Sequence, residues 1–272
     1  MTPQTLLNHI DSASLWAAPS ATQSVDLPAA YQTALQVRAL RIARGEQPRG
    51  YKIGFTNRNL WPRYNVFAPI WGTVWDTTLS HLDDSDDNVG VLSLAQCCQP
   101  RIEPEAVFGM KATPAPHATL ADLFDALAWV APGFEIVQSH QPGWKFAAPD
   151  AVTDSSLHAR LLVGRKIPIA ALASHAEQLD ALLASAHVRL LKSDAKSEAL
   201  VDHGRGSFVL DSPLRALHHF LQTLRECPGA TDLQAGDVVT TGTWTDAWPV
   251  QVGERWTAEF SEPLAPLHVQ FR

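Results

Sequence analysis

Residues 99–108, QPRIEPEAVF, place two glutamates one residue apart in a segment that otherwise reads as a buried strand. Strand side chains alternate between faces, so Glu103 and Glu105 project together while Ile102, Ala106 and Phe108 turn the other way into a core. Like charges this close repel, and burying them uncompensated is costly. Lysines, water or a divalent cation must neutralise them. A solvated edge strand carries the same spacing without strain, so the pair needs company before it reads as a site.

The company comes further along. GFEIVQSH (133–140) sets Glu135 between Phe134 and Ile136 in another apolar run. Three carboxylates suit a hard ion, Mg²⁺ or Mn²⁺, and an octahedral ion held by three ligands keeps about three positions for water or a chelating substrate.

Around these segments the chain reads as α+β. TPQTLLNHIDSASL (2–15) and DLPAAYQTALQVRALRIARGE (26–46) have helical spacing, the second with Asp26 as cap, Pro28 in its first turn and a stop near Gly45. RGYKIGFT (49–56) switches to a strand. The acidic run Asp83 to Asp87 reads as a solvated turn without calcium-loop spacing. TLADLFDALAWVAP (119–132) reads as a helix capped by Thr119 with Asp122 in its first turn, and GFEIVQS as a strand. PIAALASHAEQLDALLAS contains a short helix, AHVRLLKSDAKSE reads as an exposed hairpin, and SPLRALHHFLQTLREC as an amphipathic helix. Strands fill 236–271. Helices and strands do not alternate regularly, which argues against a doubly wound parallel sheet. Residues 1–85 are expected as a helical region with the Lys52 strand, and 86–272 as a β-rich catalytic domain, the two forming one compact unit.

Bulk properties exclude several functions. A net charge of −7, from 21 basic and 28 acidic residues, argues against nucleic acid as partner. No apolar run reaches a membrane-spanning length, and the opening residues lack a basic region followed by an apolar one, so neither a span nor a secretory leader is expected. Cys97, Cys98 and Cys227, an odd count with two adjacent, suggest neither a disulfide framework nor a zinc site. A reducing cytoplasm is the expected compartment.

RGYKIGFT, GTVWD, PRIEPEAVF, FEIVQSHQPGWKF, DAVTD, GRGS and GDVVTTG occur in that order. Together they resemble the 2-keto-4-pentenoate hydratase and 4-oxalocrotonate decarboxylase branch of the fumarylacetoacetate hydrolase superfamily, over essentially the whole chain. The resemblance implies a mixed β-roll or sandwich like the fumarylacetoacetate hydrolase C-terminal domain, with a helical N-terminal region. It implies Glu103, Glu105 and Glu135 as ligands of Mg²⁺ or Mn²⁺. Lys52, in the G-Y-K-I-G match, is implied to lie near that metal, where an ammonium can bind a substrate carboxylate or move a proton as its pKa falls. Gly54 follows it, where backbone can approach a ligand. Lys145 matches the family's D-W-K, although Gly143 stands where the aspartate would be. Ser156 matches a segment that can bond a substrate carboxylate, and Thr241 and Thr243 flank a T-G-T turn that faces the ligand in the wider superfamily. Pro104 replaces an alanine; lacking a donor, it requires either an edge strand or an unpaired N–H side.

Two departures alter the expected chemistry. Phe67 and Ile70 stand where relatives often carry aspartates, leaving an apolar wall that continues into Trp71 and favours an apolar or ring-bearing substrate tail. Asp76 is the nearby candidate acid–base group, one residue out of register with the family aspartate, which falls at Thr77. The implied activity is metal-dependent hydration of an unsaturated 2-oxo acid such as 2-hydroxypenta-2,4-dienoate, as in aromatic meta-cleavage catabolism. The alternatives are decarboxylation of a 2-oxo diacid, C–C hydrolysis of an acylpyruvate, or a non-catalytic partner subunit. Hydrolysis needs a water-activating pair, for which His140, His158 and His203 are candidates by position only. Self-association is also implied, as is association with a related hydratase or decarboxylase.

Overall fold

The computed structural model describes residues 1–16, 26–64, 66–82, 87–193 and 198–272. The chain opens with α1 (Pro3–Ser12) and α2 (Leu27–Ala43). Asp26 caps α2 by accepting from Ala29 N, and Pro28 occupies the first turn, where its missing N–H costs nothing. Leu6, Leu7, Trp16 and Val37 form a small core of their own here. Next come β1 (Pro48–Gly54), the short α3 (Trp61–Tyr64), β2 (Ile70–Trp75) and β3 (Leu79–His81). β4 (Val89–Leu92) leads to β5 (Arg101–Met110), which carries the glutamate pair. Of the acidic run, Asp83 to Asp86 lie outside the described residues.

α4 (Leu120–Asp125) starts with reciprocal bonds between Thr119 and Asp122, as the sequence predicts. It is shorter than expected. From Leu127 the chain is already β6 (Leu127–Val137), paired with β5 along nearly its whole length. Pro132 and Gly133 are poor helix residues, and pairing against β5 overrides the local helical spacing.

α5 (Ala148–Thr153), β7 (His158–Val163), β8 (Ile167–Pro168), α6 (Ile169–Leu172) and α7 (Ala176–Ser185) follow. Then come β9 (His187–Ser193), β10 (Glu198–Arg205) and α8 (Pro213–Glu226). The chain ends with β11 (Val238–Thr240), β12 (Trp248–Pro249), β13 (Arg255–Phe260) and β14 (Leu267–Phe271). β9 and β10 form the expected hairpin, but it is not an exposed arm. β9 also pairs with β13, and Val188 and Leu190 are buried.

Among the described residues, nine strands form one mixed sheet, with path β2-β1-β11-β5-β6-β7-β3 and β12 and β8 attached to β5 and β6. Five more form a second sheet in the order β10-β9-β13-β14-β4. This is the α+β architecture the sequence implies. Ile102, Ala106, Phe108, Phe134 and Ile136 enter the main hydrophobic core with Leu217, Phe220 and Leu221 of α8. The opposite face of β5 and β6 carries only a small apolar patch around Val107, Ala131, Leu161 and Val163, and the glutamates lie on that face.

β5 is interior, so Pro104 is not on an edge. Its carbonyl accepts from Trp244 N at 3.1 Å, so its backbone points to the side where β11 has ended and the loop after Thr240 passes. The missing donor falls in a gap in the ladder, between the β11 pairs at 107–109 and the β12 pairs at 101–102.

Candidate metal centre

Strand register brings the carboxylates together. Glu103 stands directly opposite Glu135 in the β5–β6 ladder, and Glu105 opposite Gly133. Directly opposed residues share a face. In the adjoining ladders Val107 opposes Thr240 and Thr240 opposes Lys52, which puts the lysine on that face too. One oxygen from each glutamate lies within 4.8 Å of the others. Glu105 and Glu135 are fully buried and Glu103 partly so.

Each fully buried glutamate has one oxygen pinned and one open. Glu105 Oε2 accepts from Thr240 Oγ1 and, at 2.7 Å, from Gly242 N, whereas its Oε1 accepts nothing. Glu135 Oε1 meets His158 Nδ1 at 2.8 Å. Glu135 Oε2 has Lys52 Nζ 3.2 Å away and no well-formed hydrogen bond. Buried polar atoms are almost always satisfied, so two open carboxylate oxygens in one cluster call for a positive group between them. Gly242 is required for this arrangement: it sits at φ +103°, and a Cβ there would come 1.7 Å from Thr56 Oγ1.

The charges bear this out. Burial, together with Glu135, raises the Glu103 carboxyl to about 7 against the pull of Lys52 and Arg101. Burial, then Glu135 and Glu103, pushes Glu105 well above the ordinary carboxylate range. For Lys52, burial alone would lower the pKa, but Glu135, Glu103 and Glu105 outweigh it and the net direction is upward. The lysine therefore stays an ammonium in the metal-free chain, contrary to the lowered pKa expected for a proton shuttle. Three carboxylates against one ammonium leave excess negative charge, which the site relieves by holding protons or by binding a cation.

A cavity at the cluster is lined by Lys52, Gly54, Glu103 and Thr243, with Phe55, Asn57 and Trp144 among the remaining walls. The other residues singled out in the sequence lie outside this lining. Ile70 is packed in the main core, and Trp71 stacks on Tyr31 with ring centroids 4.6 Å apart. Ser156 Oγ donates to Trp71 O, and Thr241 Oγ1 donates to Ala106 O at 2.9 Å, so both hydroxyls staple backbone. Lys145 is exposed. Asp76 is exposed beyond the far end of β2, where its Oδ1 accepts from Gln47 N at 3.0 Å. Phe67 is 59% exposed and meets Trp61 edge-on instead of forming a cavity wall. Of the three histidines, His140 is buried against Asp154, with Nδ1 2.5 Å from Oδ1, and His203 is exposed on β10. His158 touches the cluster; nothing in its spacing distinguishes it from the other two.

A long mixed sheet with a buried carboxylate trio and an inward lysine is the build of a fumarylacetoacetate-hydrolase-type protein. The 4-oxalocrotonate decarboxylase from Pseudomonas putida G7, solved with magnesium and adipate, superposes with a TM-score of 0.84 at 23% identity, covering 99% of this chain and 95% of that one. In sequence, the chain is 30% identical over 245 residues to the 2-hydroxyhexa-2,4-dienoate hydratase of Comamonas testosteroni, which is 89% of this chain and 85% of the relative. It is 28% identical over 215 residues to a Pseudomonas sp. 4-oxalocrotonate decarboxylase, 79% of this chain and 75% of that protein. No family model matches the chain. The chain belongs to the family of 2-hydroxydienoate (2-keto-4-pentenoate) hydratases and 4-oxalocrotonate decarboxylases. No helix among the described residues is long and apolar enough to cross a membrane.

Proposed function

We propose that this chain is a divalent-metal-dependent hydratase of an unsaturated 2-oxo acid of the 2-hydroxypenta-2,4-dienoate type. The observation that carries the reading is the trio of converging hard donors, in which Glu105 Oε1 accepts no hydrogen bond and Glu135 Oε2 meets only the Lys52 ammonium, with no cysteine or histidine grouped among them in the described residues. Glu103, Glu105 and Glu135 would hold Mg²⁺ or Mn²⁺, whose donor preference they match. Bound there, the ion supplies Lewis-acid stabilisation of the negative charge that develops on the 2-oxo oxygen.

The residues do the rest. Lys52, buried and charged, presents its remaining N–H donors to the cavity, where they pair with the substrate carboxylate. Thr243 lines the same cavity, but its Oγ1 donates to Thr245 O at 3.1 Å and accepts from Thr245 N at 3.2 Å, so it shapes the wall and leaves the substrate oxygens to Lys52. Phe55, Leu60, Val137 and Leu157 exclude water from the tail, which strengthens every charge interaction in the site.

Hydration is favoured over decarboxylation of a diacid by the charges of this lining. Lys52 and Glu103 are its charged residues, and the one ammonium is taken by Glu135 and the substrate's head carboxylate. A distal carboxylate would meet apolar walls, at the usual cost of burying a charge without a partner. The same reading includes a cytoplasmic, self-associating enzyme in which residues 1–85 and 86–272 work as one unit, supported by the pairing of β1 with β11. Purified chain with Mg²⁺ or Mn²⁺ should consume 2-hydroxypenta-2,4-dienoate without releasing CO₂, and a chelator should stop it. CO₂ release from 4-oxalocrotonate with no hydration would replace this proposal by the decarboxylase. Absence of turnover with any 2-oxo acid, despite bound metal, would leave a partner subunit.

A further inference from the structure

We propose that His158 is the positioning residue for Glu135, held by Thr78 in the single tautomer that leaves one carboxylate oxygen free for the metal. The inference rests on the metal reading of the three glutamates.

The His158 side chain is buried, and each ring nitrogen has a partner: Nδ1 meets Glu135 Oε1 at 2.8 Å and Nε2 meets Thr78 Oγ1 at 2.8 Å. An ionised carboxylate only accepts, so Nδ1 carries the proton. In the neutral ring Nε2 is then bare and must accept from the Thr78 hydroxyl. Thr78 Oγ1 itself accepts from Trp75 N at 3.1 Å, and its one proton has two acceptors in reach, Trp75 O at 3.2 Å and the nearer imidazole Nε2 at 2.8 Å, which takes it. The donors thus run one way, from the Trp75 amide through Thr78 and His158 to Glu135.

This relay does for Glu135 what Thr240 and the Gly242 amide do for Glu105. It fixes one oxygen and leaves the other open. Such partners behind a ligand set its orientation and are worth about 10–100-fold in metal affinity. A neutral donor is the suitable choice at this oxygen, because Lys52 already sets one ammonium against Glu135 and a second cation would compete further with the dication. His158 is absent from the cavity lining, so it acts through Glu135 and not on substrate.

The test is Mn²⁺ affinity of the full chain, by calorimetry, for the parent, His158→Ala, His158→Asn and Thr78→Val, with metal-free melting curves to establish folding. His158→Ala should bind Mn²⁺ about 10–100-fold more weakly. His158→Asn, whose amide can donate from near the Nδ1 position, should recover most of the loss, and Thr78→Val should fall between. The imidazole ¹⁵N shifts of the parent should report an Nδ1–H tautomer. Should His158→Ala not fold, Thr78→Val and the ¹⁵N shifts decide. A parent that binds Mn²⁺ alongside variants of equal affinity, or an Nε2–H tautomer, overturns the inference and leaves the metal site standing. A parent that ignores Mn²⁺ overturns both.

Discussion

Glu105→Gln should abolish turnover while making the metal-free protein more stable. The side chain is fully buried, and burial with two neighbouring carboxylates pushes its pKa far upward. An amide of the same shape spares the metal-free cluster the cost of either ionising this carboxyl beside its neighbours or holding a proton on it, so the metal-free melting temperature should rise. The same change replaces a carboxylate of the proposed ligand set and puts an NH₂ group either toward the cluster or against the Thr240 and Gly242 donors. Metal affinity should fall by about 100-fold or more, and metal-dependent kcat by about 1000-fold, since the charge stabilisation at the 2-oxo oxygen is lost. Calorimetry, steady-state rates and melting curves check this together. The opposite signs matter: a glutamate kept for stability would lose stability when neutralised. Unchanged Mn²⁺ affinity would remove Glu105 from the ligand set.

Lys52→Met separates catalysis from metal binding. Methionine fills nearly the same channel without the charge, so packing survives. The ammonium sits 3.2 Å from Glu135 Oε2 and feels all three glutamates. Its loss leaves the metal-free cluster unbalanced and should lower metal-free stability, with added Mn²⁺ restoring it. Metal affinity should hold or tighten, because a positive charge competing with the dication is gone. Turnover should nevertheless fall by about 100-fold or more, since the donor to the substrate carboxylate is missing. Weakened Mn²⁺ binding together with an unchanged kcat would contradict the role given to this lysine.

Much of the site was legible because it depends on local periodicity. A two-residue strand period alone puts Glu103 and Glu105 on one face, and their neighbours Ile102, Ala106 and Phe108 are indeed core. The caps at Asp26 and Thr119 are equally local, and both form. That Glu135 lands directly opposite Glu103 is a matter of register between strands, which sequence spacing does not encode. The pinning of Glu105 depends on β11 ending where Gly242 can turn its amide inward, and that of Glu135 on β7 starting at His158. Both are tertiary coincidences with no sequence period. The helix expected through Pro132 failed for the same reason: Leu127 to Val137 has apolar spacing compatible with either structure, and only the waiting edge of β5 decides. Motif position alone points to Asp76 and Lys145. Lys145 is exposed beside Trp144 of the cavity wall, and a strand that delivers Gly72 opposite Lys52 carries Asp76 past the end of the ladder.

The most direct measurement is an anomalous-scattering map from crystals of the chain grown with Mn²⁺ and soaked with oxalate, a mimic of the 2-oxo acid head. One peak should appear among Glu103, Glu105 and Glu135, bonded by an oxygen of each, with oxalate on the vacant positions beside Lys52. A map with no peak there, from crystals that do contain Mn²⁺ elsewhere, would contradict the account at its root.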